Sequence, residues 1–165
     1  MSALNIVFYI FMFLSALGAV GILLSRNVFK SALYLLVTLL SVSALFALSY
    51  SEFLAVAQIL VYAGGITVII IFGIMLTTRM SGRPLVVTNR HLISGAIVGA
   101  ALFVLLIRYL PALAATDKTL APEPVNAIAL QIFSSYSLPF ELAGLLLLVA
   151  LIGAAVITSN LKSKV

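Results

Sequence analysis

A handful of polar side chains in an otherwise apolar chain could do chemistry. Glu52, Gln58, Tyr62 and Thr67 lie within one stretch, and His91 and Glu141 lie farther along. Together they offer proton exchange and hydrogen bonding, and little else. With no cysteine there is no route to an iron–sulfur cluster, a thiolate metal site, a disulfide or a covalently attached c-type haem. A single histidine, His91, rules out two-histidine haem ligation within the chain. Neither GxGxxG nor GxxxxGK[ST] occurs, so a phosphate-cradling loop is missing as well. The chain is therefore expected to hold no redox cofactor, metal or nucleotide of its own. Function has to come from helices, a few polar groups and neighbouring chains.

The elements that must position those groups follow from composition. Hydrophobic residues make up 64% and charged residues 8% of the 165 residues, against about 25% charged in a soluble domain. This is the profile of an all-α integral membrane protein. Apolar stretches at 3–24, 31–50, 53–78, 91–110 and 139–160 are each long enough, at about 20 residues, to cross the hydrocarbon core. Backbone groups in lipid must be satisfied internally, which favours helices. The alternation of a transmembrane barrel does not occur. The reading is five transmembrane helices in a single transmembrane domain over 1–165, without internal repeats.

Charge then sets the orientation. Arg26, Lys30, Arg79, Arg83, Arg90, Lys162 and Lys164 all fall on one side of a five-span chain, and only Arg108 and Lys118 fall on the other. By the positive-inside rule the N-terminus faces out and the C-terminus is cytoplasmic. The net charge of +5 reflects this split and contact with anionic membrane lipids. Basic residues scattered between spans give no support for nucleic-acid binding. The first 25 residues carry no Lys or Arg, so span one is expected to stay in the protein instead of serving as a signal peptide. The outer loop 111–138 contains Pro111, Pro122 and Pro124, which predict irregular chain over 111–124. Val125, Ile128 and Ile132 then predict a short interfacial helix.

Span three is the unusual element. At helical spacing Gln58, Tyr62, Gly65, Ile69 and Phe72 form one stripe, and Gly64-Gly65 sits mid-span. Each such glycine costs about 1 kcal/mol against alanine in a water-exposed helix. Two readings are open. The glycines, with Gly73, form a packing seam with the Tyr62 hydroxyl bonded to a neighbour, or they mark a place where the helix kinks or bulges. Glu52 and Glu141 are likewise open. Ser49-Tyr-Ser-Glu52 fits a capping box, and Glu141, two residues past Pro139, suits the first turn of span five. A carboxylate in a membrane can also belong to a proton route. Arg108 is expected to snorkel, and His91 to sit at the interface.

The run Glu52-Phe53, Gln58-Ile-Leu-Val-Tyr62-Ala-Gly64-Gly65, Phe72 and Met75-Leu76 resembles the family of subunit J, or chain 6, of respiratory complex I (NADH:quinone oxidoreductase). Ala32-Leu-Tyr34 and Ser134-Ser-Tyr136-Ser-Leu138-Pro139-Phe140-Glu141, with the Leu145–Ala154 segment behind it, are similar to the same family. The resemblance implies a membrane-arm subunit without redox centres, in a complex that couples quinone reduction by NADH to proton or sodium translocation. FMN, iron–sulfur clusters, NADH and quinone would belong to other subunits. It implies a third helix that interconverts between bulged and regular forms, with Tyr62, Gly64 and Gly65 at the bulge and Phe72 on the part that turns. Thr67 and Gly73 stand where many members carry larger apolar residues. The implied partners are a small glutamate-bearing subunit, the quinone-site subunit and antiporter-like subunits. The implied location is a bacterial inner membrane, crossed several times. Membrane-bound hydrogenases and multi-subunit cation/proton antiporters contain related segments and remain alternative hosts. An independent small transporter is disfavoured, because polar midplane groups occur in one span only.

Overall fold

The computed structural model describes residues 3–81, 92–114 and 124–162. It is helical throughout: α1 (Ala3–Leu24), α2 (Val28–Leu48), α3 (Glu52–Ala57), a π-helical segment (Gln58–Ile66), α4 (Thr67–Ser81), α5 (Leu92–Ala114), α6 (Val125–Ser134) and α7 (Ser137–Lys162). α3, the π segment and α4 run on from one another, so Glu52–Thr77 forms a single 26-residue apolar helix. Among the described residues, four helices are long and apolar enough to cross a membrane: Ala3–Leu24, Val28–Leu48, Glu52–Thr77 and Ser137–Ser159. The stretch expected as the fourth of five spans corresponds to α5, Leu92–Ala114, a helix of 23 residues. Arg83, Arg90, His91, Asp117, Lys118, Glu123 and Lys164 lie outside the described residues.

The chain divides into two compact units, Met1–Pro122 and Glu123–Val165. In the first, α1 and α2 form a tight antiparallel hairpin. Asn27 caps α2: its side-chain oxygen accepts from the N–H of Phe29 at 2.9 Å and of Lys30 at 3.4 Å. This cap starts the helix at Val28, ahead of the expected 31, and draws Lys30 from the loop into the first turn. The hairpin closes on glycine. A Cβ on Gly18 would stand 3.2 Å from the Tyr34 carbonyl oxygen and 3.3 Å from the Thr38 nitrogen, and one on Gly21 would meet the Tyr34 ring at 2.7 Å. The close glycine contact that the sequence suggested for span three thus occurs between α1 and α2. Lipid offers no hydrophobic drive to bring helices together, so close approach of small residues must do it.

The α2–α3 connection, residues 49–51, is one residue longer than the 51–52 expected. Tyr50 takes φ 60°, and around it the Tyr50 N–H donates to Ala47 O at 3.2 Å and the Ser51 N–H to Phe46 O at 3.0 Å. That pattern ends a helix on a left-handed residue, a position glycine usually fills. Ser49 is thereby used to close α2, and Ser51 becomes the residue that precedes α3. The expected Ser49-x-x-Glu52 capping box does not form, and Ser51 makes no side-chain capping bond either.

The buried residues of this unit are small. Among the described residues they are Gly18, Ala32, Ser41, Ser43, Ala55, Ala63 and Thr67. The described side chains of α5, Ser94–Leu110, are all exposed. Its backbone stays helical past Pro111 to Ala114, correcting the irregular chain expected from 111. Proline lacks an N–H to donate and crowds the carbonyl four residues back, yet the helix continues for three residues beyond it.

In the second unit α6 folds against α7, with Phe133 and Phe140 edge to face at 5.2 Å. α6, Val125–Ser134, contains Val125, Ile128 and Ile132 of the expected short helix. α7 starts at Ser137, because Pro139 has no N–H to satisfy and fits inside a first turn. Glu141 therefore lies beyond that turn, contrary to expectation, and helix-dipole compensation fades there.

Gly18→Ala is expected to lower stability by about 1–3 kcal/mol through overpacking against backbone. Gly73→Ala, with nothing within 4 Å of its Cβ position, should cost nothing. Thermal unfolding of both variants in mild detergent checks the pair.

Candidate functional site

Bonding across Gln58–Ile66 follows the i→i+5 pattern, which widens each turn by one residue relative to the α-helix. The segment contains Gln58, Tyr62, Gly64 and Gly65. Phe72 lies in α4, past its end, and Thr67 is the first residue beyond it. The Tyr62 carbonyl oxygen accepts twice from that threonine, from its N–H and from its hydroxyl, the latter at 2.7 Å. Thr67 is completely buried.

On the other side of the segment, Ser43 of α2 donates its hydroxyl to the Ala55 carbonyl of α3 at 2.8 Å. Two hydroxyl-to-carbonyl bonds therefore bracket the wide-turn segment, one from the neighbouring helix and one from its own. Gly64 belongs to the geometry between them: a Cβ there would stand 3.1 Å from the Ile59 carbonyl, five residues back. Among the described residues, no atom of another helix comes within 4 Å of a Cβ placed on Gly64, Gly65 or Gly73. These glycines are thus not seams between the described helices of their own unit.

The two sides of the long helix differ. Ala55, Ala63 and Thr67 are buried, and α2 is the helix that packs along this length. Tyr62, Ile69 and Phe72 are 50%, 72% and 59% exposed and point away from that packing. Gln58 and Gly65, assigned to the same stripe at α-helical spacing, are half-buried instead. Spacing by 3.6 residues does not carry across wide turns. Thr67, which the sequence offered as a polar neighbour of the stripe, sits on the inner side.

Glu52 stands at the N-terminus of α3, an acid in the first turn of a helix, as a favourable dipole interaction requires. It lines one end of an open groove of about 470 Å³ between α2 and α3, together with Leu40, Ser43, Ala47, Ala55 and Ile59. Glu141 is exposed on α7 in the other unit. Among the described residues no three His, Cys, Asp or Glu side chains come together. The donor set of the chain does not suit an iron–sulfur cluster, and the sequence lacks a nucleotide-phosphate loop.

Sequence reasoning missed Ser43 and Tyr50. Ser41 and Ser43 were visible as two hydroxyls within an apolar span, a pattern that signals helix–helix bonding. Tyr50 gave no signal, because tyrosine is not a residue expected at positive φ.

Residues 18–157, which include the whole of this site, match the family described as NADH-ubiquinone/plastoquinone oxidoreductase chain 6. The chain belongs to that family. Relatives agree with the assignment. NAD(P)H-quinone oxidoreductase subunit 6 of the Paulinella chromatophora chromatophore is 39% identical, over 86% of this chain and 71% of the relative. The chloroplastic subunit 6 of Zygnema circumcarinatum is 36% identical, over 96% of this chain and 93% of the relative. Chain 6 of Synechocystis is 35% identical, over 91% and 78%. In this chain-6 protein the bracketed segment is the part of the fold where backbone bonding departs from the ordinary helix. Ser43→Ala removes the bond from α2. It is expected to lower stability by about 1 kcal/mol and to speed hydrogen exchange of the α3 amides, as mass spectrometry of the detergent-solubilised protein would record.

Proposed function

We propose that this chain-6 protein is the membrane-arm subunit of a proton-translocating NADH:quinone oxidoreductase that changes helix form while other subunits carry electrons and protons. The observation that carries the reading is the wide-turn segment Gln58–Ile66, mid-span in a 26-residue apolar helix, with Tyr62 and Phe72 turned outward past its own chain. A helix bonded i→i+5 holds one more residue in the same turns than a regular α-helix. Reverting to i→i+4 bonding turns everything beyond it by one residue, about 100°. Gly64 and Gly65 would sit at the point of change, and Phe72 would swing with the moving half. Gln58, Thr67 and Glu52 would supply polar groups beside the path, with Glu141 on the last span.

In this reading the chain crosses the membrane five times, α5 being the fourth crossing, with the N-terminus outside and the C-terminus in the cytoplasm. The seven-to-two division of basic residues supports that orientation. The subunit itself is non-catalytic. FMN, iron–sulfur clusters, NADH and quinone are held elsewhere in the complex, in keeping with a chain that has no cysteine. The outward stripe on α4 would meet a small glutamate-bearing subunit, and other faces the quinone-site and antiporter-like subunits. The proposed location is a bacterial inner membrane. The relatives, from a cyanobacterium and from plastid-type organelles, support a multi-pass membrane protein.

Gly65→Val tests the mobile segment in membranes that retain the assembled complex. Its side chain should cut proton translocation and quinone reductase activity severalfold, and unchanged values would remove the support for a hinge there. Tyr62→Phe deletes only a hydroxyl. A drop in protons moved per quinone reduced, at normal assembly, would assign hydrogen bonding to that group, and full activity would leave it a packing role.

A further inference from the structure

The hydroxyls of this chain provide an internal comparison. Thr38, Ser41, Thr77, Ser134 and Thr158 each donate to the carbonyl four residues back, at 2.6–2.9 Å. Ser15 and Ser159 donate three residues back. These are the two reaches that a regular helix allows. Thr67 donates five residues back, to the Tyr62 carbonyl at 2.7 Å. That acceptor is within reach because the intervening turn is wide. The same carbonyl also takes the Thr67 N–H, so the backbone bond and the side-chain bond close the segment at one oxygen.

We propose that Thr67 is a positioning residue that latches the third membrane helix in its wide-turn form through the bond from its hydroxyl to the Tyr62 carbonyl. The latch rests on the reading that this segment changes form. It adds to that reading the side chain that sets the balance. On conversion to i→i+4 bonding, Tyr62 takes the N–H of Ile66. The Thr67 hydroxyl must then release its acceptor and fall back on Ala63, four residues away. Rotation by about 100° also carries Thr67 out of the buried position it now fills. Both changes oppose leaving the wide-turn form. The hydroxyl finds a new acceptor afterwards, so the latch biases the balance without freezing it. Gly64 cooperates from the opposite direction. Its missing Cβ leaves room for the Ile59 carbonyl, which would stand 3.1 Å from that atom, whereas alanine there favours the regular helix.

The test compares wild type, Thr67→Val, Thr67→Ser and Gly64→Ala in the assembled complex. Single-particle images are sorted by the bonding of residues 58–67, and protons moved per quinone reduced are measured on the same membranes. Valine keeps the shape and removes the donor. Because the Ala63 bond of the regular form offsets part of what is lost, the ratio of wide-turn to regular helix should fall, by less than the about threefold that one whole hydrogen bond in a membrane is worth. Serine should restore the wild-type ratio. Gly64→Ala should lower it by the separate steric route. An unchanged ratio in Thr67→Val, whatever Gly64→Ala does, overturns the latch, as does a serine variant that behaves like valine. If the ratio shifts as expected while protons per quinone stay constant, the latch stands and the gating role of the segment falls.

Discussion

Every backbone amide and carbonyl within the hydrocarbon layer needs a partner supplied by protein, because no water is present to replace a lost bond. This requirement explains the way the chain departs from a regular helix. A wide turn in water could expose its spare groups to solvent. Here Tyr62 O is met by both donors of Thr67, and the Ala55 carbonyl, just ahead of the segment, is met by Ser43 from α2. At the α2–α3 turn a Schellman-type closure around Tyr50 keeps the carbonyls of Phe46 and Ala47 bonded at the cost of a strained tyrosine. Hydroxyls and tight turns are what allow irregular backbone in an apolar chain.

The same requirement shapes the core. Its buried residues are glycine, alanine, serine and threonine, with large apolar side chains pointing outward. In a soluble protein that arrangement would be inverted. In lipid, outward leucines cost nothing, and close backbone approach at Gly18 and Gly21 supplies dispersion contact. No residue in the apolar window of α7 is buried within its own unit, and the described side chains of α5 are exposed. A helix apolar on all sides must be covered by lipid or by other proteins.

Much of this could be read from the residues, and the failures have specific causes. Span lengths and the polar content of the third helix follow from runs of apolar residues, which long helices print clearly. Ends were harder. Asn27 moved the start of α2 forward, and Pro139 let α7 begin ahead of itself, carrying Glu141 out of the first turn. Ser49 fits a capping box in the sequence, yet it is consumed by the closure of α2. The stripe through Gln58 and Gly65 assumed one helical period across a segment that changes it, so those two residues came out half-buried. Ser43 reaches across to Ala55, a contact that sequence spacing within one helix cannot reveal.

Magnitudes decide how such a segment can work. A hydrogen bond between membrane helices contributes about 0.6 kcal/mol on average, and moving one charge through 100 mV is worth about 2.3 kcal/mol. A form held by one or two hydroxyl bonds and a pair of glycines is thus weakly held compared with the energy of a single translocated proton. That is the relation a coupling element requires. A stiffer helix, all leucine and alanine, would resist the change, and a looser one would convert without being driven. With only four acidic residues and one histidine in 165, the chain has little means of carrying protons itself. Under the proposed reading, what it contributes is a helix poised between two bonding patterns, beside chains that hold the titrating groups.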